Sequence, residues 1–550
     1  MAKKYSIGLD FGTLAARAVM VDVDNGNEVA VSLFGYQDAI IDSYLPGTNI
    51  ELPPDYALQN PRDYIEAIPA LLNDVRIRSG VEAEDIISIG IDSTTSTVIP
   101  LDENCEPLCF REEYKDNPHS WIKMWKHHSP QPQADKMNEF AANMDASFLK
   151  KCGGKVSAEW FFPKLMETYE KAPEVFQAAS CFVELGDWIV YLLTGKLCRS
   201  SAIAAIHANW DEEDGYPKDE LFEEMAPQML PGIHKNGALP IAGIFTKAGN
   251  LREQLCEKTG LLPTTSVSIA ASDSPVALLS MGVTEPGTAV LILGTSSVMM
   301  VLSDADHYIP GAMACVKNQM MPGYYGNMFG QSAVGDVFEW FTKNMLPYDY
   351  YLEAEKNGET IFQVIDRYIS KIKPEEEGVL SLSWLNGCRS LLQNANLSGL
   401  LVGLKLSTRP EEIYRALVES VAFELKEMIN CLKEDSVNIK AIHAGGGISR
   451  KSPAIMQILA DILELPIYAT EYKQTVGHGT AILGAVAANE TGDKYETICK
   501  YVENMKCPMT ACYIPNPDNS EVYRRRFLQY KELYNYFGVD NNDFMREIKK

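Results

Sequence analysis

The sequence predicts an α/β protein of two similar lobes facing a cleft, and two observations carry that prediction. The first is an internal echo of a strand-turn-strand unit. Residues 5–24 read Tyr5-Ser-Ile-Gly-Leu-Asp-Phe-Gly-Thr and then Arg17-Ala-Val-Met-Val-Asp-Val-Asp. Residues 288–304 repeat that grammar as Ala289-Val-Leu-Ile-Leu-Gly-Thr-Ser-Ser and then Val298-Met-Met-Val-Leu-Ser-Asp. Both are β-rich runs broken by a Gly-Thr turn, the pattern of a hairpin. The second observation is a later strand in each half that ends in a loop of small or polar residues. Ile86-Ile-Ser-Ile-Gly-Ile-Asp leads into Ser93-Thr94-Thr95, and Ile439-Lys-Ala-Ile-His-Ala leads into Gly445-Gly446-Gly447. A hairpin followed by a β-to-helix crossing, found twice, implies duplicated α/β lobes.

The remaining elements follow in order. At 550 residues the chain exceeds what one core usually supports, so two domains are expected, 1–283 and 284–550. The boundary falls in the turn-rich Gly282-Val283-Thr284-Glu285-Pro286-Gly287. Residues 410–429 read as a helix, with Pro410 near the start, acids in the first turn and apolar residues at helical spacing. Residues 452–463 and 480–488 read as helices after glycine loops, and the charged, aromatic segment from Ser520 as a helix on the surface.

Composition narrows the function classes. Hydrophobic residues make up 46% and charged residues 22%, ordinary for a globular protein. A net charge of -25 argues against nucleic acid, which needs a basic surface, and is read as solubility. No window approaches the roughly 20 apolar residues of a spanning helix, and Met1-Ala2-Lys3-Lys4-Tyr5 lacks a signal core, so a cytoplasmic protein with no membrane partner is expected. The twelve cysteines are scattered without paired CxxC spacing, which argues for reduced thiols over zinc or redox chemistry. His127-His128 has no supporting acidic or sulfur cluster and reads as surface.

Asp10-Phe11-Gly12-Thr13 is the first segment able to carry chemistry. A Gly-Thr turn offers N–H groups and a hydroxyl to phosphate oxygens, and the adjacent carboxylate suits Mg²⁺. Arg17 adds positive charge near a transferred group, while an ordinary hairpin turn explains the segment about as well. Gly294-Thr295-Ser296-Ser297 is the matching turn, and two in register suit one nucleotide better than either alone. Gly445-Gly446-Gly447-Ile448-Ser449, between a strand and a helix, lets a flat ligand or a phosphate approach backbone. Neither Walker A nor GxGxxG occurs. Asp273 sits among small residues in Ala271-Ser272-Asp273-Ser274-Pro275, where a β-rich run ends and a helix begins. It fits a base that accepts a hydroxyl proton, but from this segment alone a helix N-cap is the simpler reading. Tyr114-Lys115-Asp116-Asn117-Pro118-His119-Ser120-Trp121, with Trp125, has the groups of a carbohydrate pocket, though a structural loop explains it nearly as well.

These residues together resemble the FGGY carbohydrate kinases, relatives of actin and hexokinase, and within them the ribulokinases. The general parts are Asp10-Phe-Gly-Thr, Asp273, Gly294-Thr295-Ser296, the stretch from Gly445 through Ala460-Asp461-Ile462, and Thr480-Ala-Ile-Leu-Gly-Ala. More specific are Tyr114 to Trp121, Gly330-Gln-Ser-Ala-Val-Gly-Asp and Trp384-Leu-Asn-Gly-Cys-Arg-Ser. The resemblance implies two actin-like (ribonuclease H-like) lobes that close on ATP–Mg²⁺ and a sugar or polyol. It implies Asp273 as catalytic base helped by Arg17, Asp10 at the metal, and phosphates at Gly12-Thr13 and Gly294-Thr295-Ser296. Gly335, Gly446 and Gly447 line the nucleotide site, and Thr95, Lys115, Asp116, His207, Met328 and Asp273 line the sugar. A homodimer is compatible with the sequence.

The sugar pocket departs from the ribulokinase pattern. His207 stands where a lysine is expected and Met328 where a glutamate is expected. Thr95 replaces a smaller residue, and Pro275 stands where a histidine often follows the base. Loss of a cation and a carboxylate changes which hydroxyls are satisfied. The leading expectation is ATP-dependent phosphorylation of a ketopentose, L-ribulose by resemblance, at its terminal hydroxyl. A kinase for another pentulose, polyol or deoxysugar is the alternative. A silent sugar- or nucleotide-binding protein is the alternative of another class.

Overall fold

The computed structural model describes residues 3–144, 146–376, 378–491 and 493–548. Strands of the two large sheets are numbered β1 to β13 in chain order. Tyr5–Phe11 (β1) and Ala15–Asp22 (β2) form the first hairpin, extended by Glu28–Gly35 (β3). Ile86–Ser93 (β4) runs parallel to β1, with Lys247–Asn250 (β5) antiparallel to Ser266–Ser272 (β6), which is itself parallel to β4. The order is β5-β6-β4-β1-β2-β3.

The two central strands carry nearly the same pentapeptide in register, Ser6-Ile7-Gly8-Leu9-Asp10 against Ser88-Ile89-Gly90-Ile91-Asp92. Side chains alternate between faces. Ile7, Leu9, Ile89 and Ile91 enter one core with Tyr64, Leu71 and Leu72 of helix Pro61–Ser79. The serine, glycine and aspartate of each strand turn to the opposite face, where helix Thr475–Ala488 lies. Ser6 donates to the Ala481 carbonyl at 2.7 Å, and Ser88 to Ser6 at 2.8 Å. A Cβ on Gly8 would stand 1.9 Å from the Gly477 carbonyl oxygen, and one on Gly90 1.8 Å from that of Thr480. Helix and sheet therefore meet backbone to backbone, which only glycine permits.

In the second half, Thr288–Leu293 (β7) and Ser297–Ser303 (β8) form the second hairpin. Ala314–Lys317 (β9) and Tyr325–Gln331 (β10) lie on one side, and Ala441–Gly445 (β11), Ile467–Thr470 (β12) and Met509–Tyr513 (β13) on the other. The order is β9-β10-β8-β7-β11-β12-β13, with β11 parallel to β7 and β12 parallel to β11. Both sheets thus share one plan: a first strand between a hairpin partner and a parallel strand, the order of a ribonuclease H-like, actin-like fold. Helix Pro410–Glu434 packs in this sheet's core and is buried on every side from Tyr414 to Leu425.

The chain divides into two compact units. The first comprises Met1–Thr284, Val316–Gly326 and Gln474–Lys506, and the second Glu285–Cys315, Asn327–Lys473 and Cys507–Lys550. The first unit therefore includes a late segment of the chain. The helix expected over 480–488 begins earlier, at Thr475. The C-terminal helix spans Pro517–Asn535 and packs on the second core by one side, where Tyr523, Phe527, Tyr530 and Tyr534 recur, while the opposite side stays exposed. All twelve cysteines are free thiols, and no helix among the described residues is long and apolar enough to cross a membrane.

Candidate active site

Three carboxylates gather at the C-terminal ends of β1, β4 and β6. Asp10 pairs in register with Asp92, and Asp92 with Ala271, so that Asp273 follows one residue beyond the Ser272–Ser93 pair. Asp10 is buried, and Arg17 on β2, its register partner, sets a guanidinium nitrogen 3.6 Å from its carboxylate. Burial raises the Asp10 pKa and the Arg17 charge opposes that rise. Asp92 is fully buried and pushed well above the usual carboxylate range, first by burial, then by the Asp10 charge. The Thr480 hydroxyl donates to its Oδ2, and a side-chain hydrogen bond joins Asp92 to Asp10.

Asp273 opens helix Asp273–Ser280 as its first residue, and Ser272 occupies the capping position. The N-cap reading therefore fails in detail. The Asp273 carboxylate accepts instead from the N–H of Ser274 at 2.7 Å. Burial lifts its pKa from 3.8 to about 6, with the Asp10 charge adding to the rise and the Ser274 bond opposing it. A carboxylate so placed is ionised at neutral pH yet basic enough to take a hydroxyl proton.

The loop after β4 borders this cluster. Ser272 donates to the Thr95 hydroxyl at 3.3 Å, and Thr94 N–H to the Phe11 carbonyl at 3.1 Å. The Ser96 hydroxyl meets Nδ1 of His207, which ends helix Ser201–His207. Burial, then the Lys164 charge, lowers the His207 pKa to about 3, so the ring is neutral at physiological pH. The structure thus places Asp10, Arg17, Thr95 and Asp273 around one strand edge, with His207 reaching it through Ser96.

Gly12 and Thr13 form the turn between β1 and β2. Gly12 spends its N–H on the Ala15 carbonyl at 3.1 Å, closing the hairpin. The Thr13 hydroxyl accepts from the Trp125 indole at 3.0 Å and keeps its own proton to donate. Trp125 is held by its neighbours. Glu167 accepts from Lys123 at 2.8 Å and from His127 Nε2 at 2.9 Å, and Ala57 N–H donates to His127 Nδ1 at 3.1 Å. His127 is therefore buried rather than on the surface. Its partners come from residues distant in sequence, which inspection of its neighbours could not show. The segment 114–121 folds on itself: Trp121 donates to the Lys115 carbonyl at 2.9 Å and Ser120 to that of Tyr114 at 2.8 Å. Lys115 and Asp116 are exposed, with Lys115 paired to Glu112 at 2.5 Å.

In the second unit the glycine-rich turns converge. Gly335 opens helix Gly335–Met345 and donates to the Gly294 carbonyl at 3.0 Å, and Val334 donates to that of Thr295 at 2.8 Å. Gly294 closes its own hairpin on Ser296 at 2.9 Å, leaving Thr295 exposed at the tip. Gly446 follows β11 with φ of +101°, and a Cβ there would stand 2.2 Å from the Leu293 carbonyl oxygen. Only glycine satisfies both demands. A Cβ on Gly447 would meet open space, so backbone there is accessible to a flat ligand. Met328 is buried on β10, where its carbonyl accepts from Met313 at 2.8 Å.

Residues 5–280 match the N-terminal domain, and residues 289–488 the C-terminal domain, of the FGGY family of carbohydrate kinases. The chain belongs to that family. It is 40% identical over 537 residues to a ribulokinase of Bacillus licheniformis, covering 98% of this chain and 97% of that protein. A ribulokinase of Geobacillus thermodenitrificans is 38% identical over 549 residues, covering 100% and 97%. Among solved structures, a gluconate kinase from Lactobacillus acidophilus superposes with a TM-score of 0.80 at 21% identity, covering 99% of this chain and 100% of that one. A xylulose kinase from Rhodospirillum rubrum gives 0.78 at 22% identity, covering 98% and 100%. The likeness to these structures is one of fold.

The protein is thus an ATP-dependent carbohydrate kinase. Asp92, Ser96 and Lys164 escaped the motif reading. The first had a visible signal, since Ser-Ile-Gly-Ile-Asp at 88–92 nearly copies Ser-Ile-Gly-Leu-Asp at 6–10. The others act through contacts between distant segments and left no local pattern.

Proposed function

We propose that this kinase phosphorylates a ketopentose, L-ribulose by its likeness to the ribulokinases, on the terminal hydroxyl with Asp273 as general base. The observation that carries the reading is the meeting of Asp10, Asp92 and Asp273 on three adjacent strand ends, where burial lifts the Asp273 pKa to about 6. Asp273 accepts the hydroxyl proton as the oxygen attacks the terminal phosphorus of ATP, and Arg17 supports the charge on the transferred group. Thr95 and His207 border the acceptor, with Lys115, Asp116 and Met328 as further sugar-facing candidates. Thr13 donates its hydroxyl to phosphate, and Gly294, Thr295, Ser296, Gly335, Gly446 and Gly447 hold the nucleotide.

The residues fit Mg²⁺. Asp10 and Asp92 set two buried carboxyl groups side by side, the kind of group that an ion held by one or two carboxylates, water and phosphate would use. Bound Mg²⁺ would neutralise charge on the triphosphate, and no cluster of three ligating side chains occurs among the described residues. Because the donor is ATP, we place the enzyme in the cytoplasm.

ATP turnover is measured with a panel of ketoses and polyols. Ribulose is expected to raise ADP release most, and absence of any sugar-dependent turnover would overturn the reading. A second reading, another pentulose or a polyol as substrate, is favoured by the neutral His207 ring in place of a cation. Reverting His207 to Lys and Met328 to Glu should then shift preference towards ribulose.

A further inference from the structure

Ser96 adopts φ of +56°, a left-handed conformation that a serine keeps only where its surroundings impose it. Three groups from outside the loop and one contact within it converge here. Glu184 accepts from the Thr97 N–H at 3.0 Å, and the Thr94 and Thr97 hydroxyls lie 3.1 Å apart. The Ser96 hydroxyl meets His207, and the Ser96 carbonyl accepts from the ammonium of Lys164. Lys164 is the unusual member. It is 1% exposed, on helix Phe161–Lys171, and its ammonium also donates to the Met124 carbonyl at 2.8 Å. Burial lowers its pKa to about 7, and charged or neutral the buried amine is costly unless its hydrogen bonds are made. These bonds go to main-chain oxygens of two loops, which would otherwise point inward unsatisfied.

We propose that Lys164 is a positioning residue for the acceptor sugar. By gripping the Ser96 carbonyl it locks residues 94–97 in the left-handed turn that sets Thr95 beside Ser272 and Asp273 and brings the Ser96 hydroxyl onto His207. A loop held in this way presents its groups to a polyhydroxylated acceptor without ordering at the moment of binding. The inference rests on the reading that the first unit receives the sugar. It assigns to Lys164 no contact with substrate.

The test is a double-mutant cycle on the purified full-length kinase, using the sugar the wild type turns over best. Lys164→Met should lower kcat/KM for the sugar by about 10- to 100-fold and leave KM for ATP within about twofold. Glycine occupies the left-handed region without help. In a Ser96→Gly background the Lys164→Met loss should therefore shrink by about threefold or more. A general loss of folding would not produce that contrast. The same loss in both backgrounds, or an equal rise in KM for ATP, overturns the proposal. Should Lys164→Met not fold, the cycle is run with Lys164→Arg, which keeps the cation but not its fit, with a smaller contrast of the same sign. A wild type that phosphorylates no sugar overturns the functional reading itself, whereas an active wild type with an additive cycle overturns only the role of Lys164.

Discussion

Asp273→Asn should make this kinase nearly inactive and, above neutral pH, more stable. The side chain keeps its shape but can no longer take a proton, so kcat should fall by about 10²- to 10⁴-fold. In the wild type, a base with a pKa of about 6 is roughly nine-tenths ionised at pH 7 and one-tenth at pH 5. Sugar kcat/KM should then drop by about tenfold between those values. Stability runs the other way. The folded pKa lies above the ordinary 3.8, so between pH 4 and 6 the native state holds more protons than the unfolded chain, and wild-type stability falls as pH rises. A shift of this size corresponds to at most about 3 kcal/mol, and partial exposure of the side chain reduces it to about 1–2 kcal/mol. Urea unfolding of the two proteins, without Mg²⁺ or nucleotide, should show Asp273→Asn ahead by that margin at pH 8 and level with wild type below pH 3.8. A variant with wild-type kcat refutes the base assignment. A stability difference that ignores pH refutes the burial argument behind it.

Other consequences follow from the packing of the first unit. Gly90→Ala drives a methyl into the Thr480 carbonyl and should cost about 3 kcal/mol or more, read as a lowered urea midpoint or as insoluble protein. Thr480→Val removes the one donor to Asp92 Oδ2 and should cost about 1–3 kcal/mol by the same measurement. Glu167→Ala leaves Lys123 buried without its carboxylate and should cost about 3–5 kcal/mol, with a fall in Trp125 order visible by fluorescence.

The sequence announced the architecture because both hairpins and both parallel strands obey local rules: β-rich runs, Gly-Thr turns and glycine-rich strand ends. It announced Asp10 and Asp273 as candidates for the same reason, since each sits where a strand stops. What it could not announce depends on burial and on partners far along the chain. His127 read as surface because its anchors, Ala57 and Glu167, lie 70 and 40 residues away. The segment 114–121 offered the groups of a carbohydrate pocket and, nearly as well, a structural loop; in the fold Ser120 and Trp121 bond back to the loop's own main chain, while Lys115 and Asp116 stay exposed. The C-terminal segment read as a charged, aromatic surface helix, and what the sequence left unsaid is which core its aromatic side enters.

The helix at 475–488 has a consequence for how the molecule is made. A ribosome that has synthesised every strand of the first sheet still leaves the Gly8–Gly90 face bare, and it stays bare until the helix that begins at Thr475, about two hundred residues after Ser272. That unit therefore cannot finish folding as it emerges, and a fragment cut after residue 284 would expose a glycine-lined groove and the side of Asp92. Supplying residues 474–506 as a separate peptide should close that groove and restore solubility, which makes this protein a natural subject for fragment complementation.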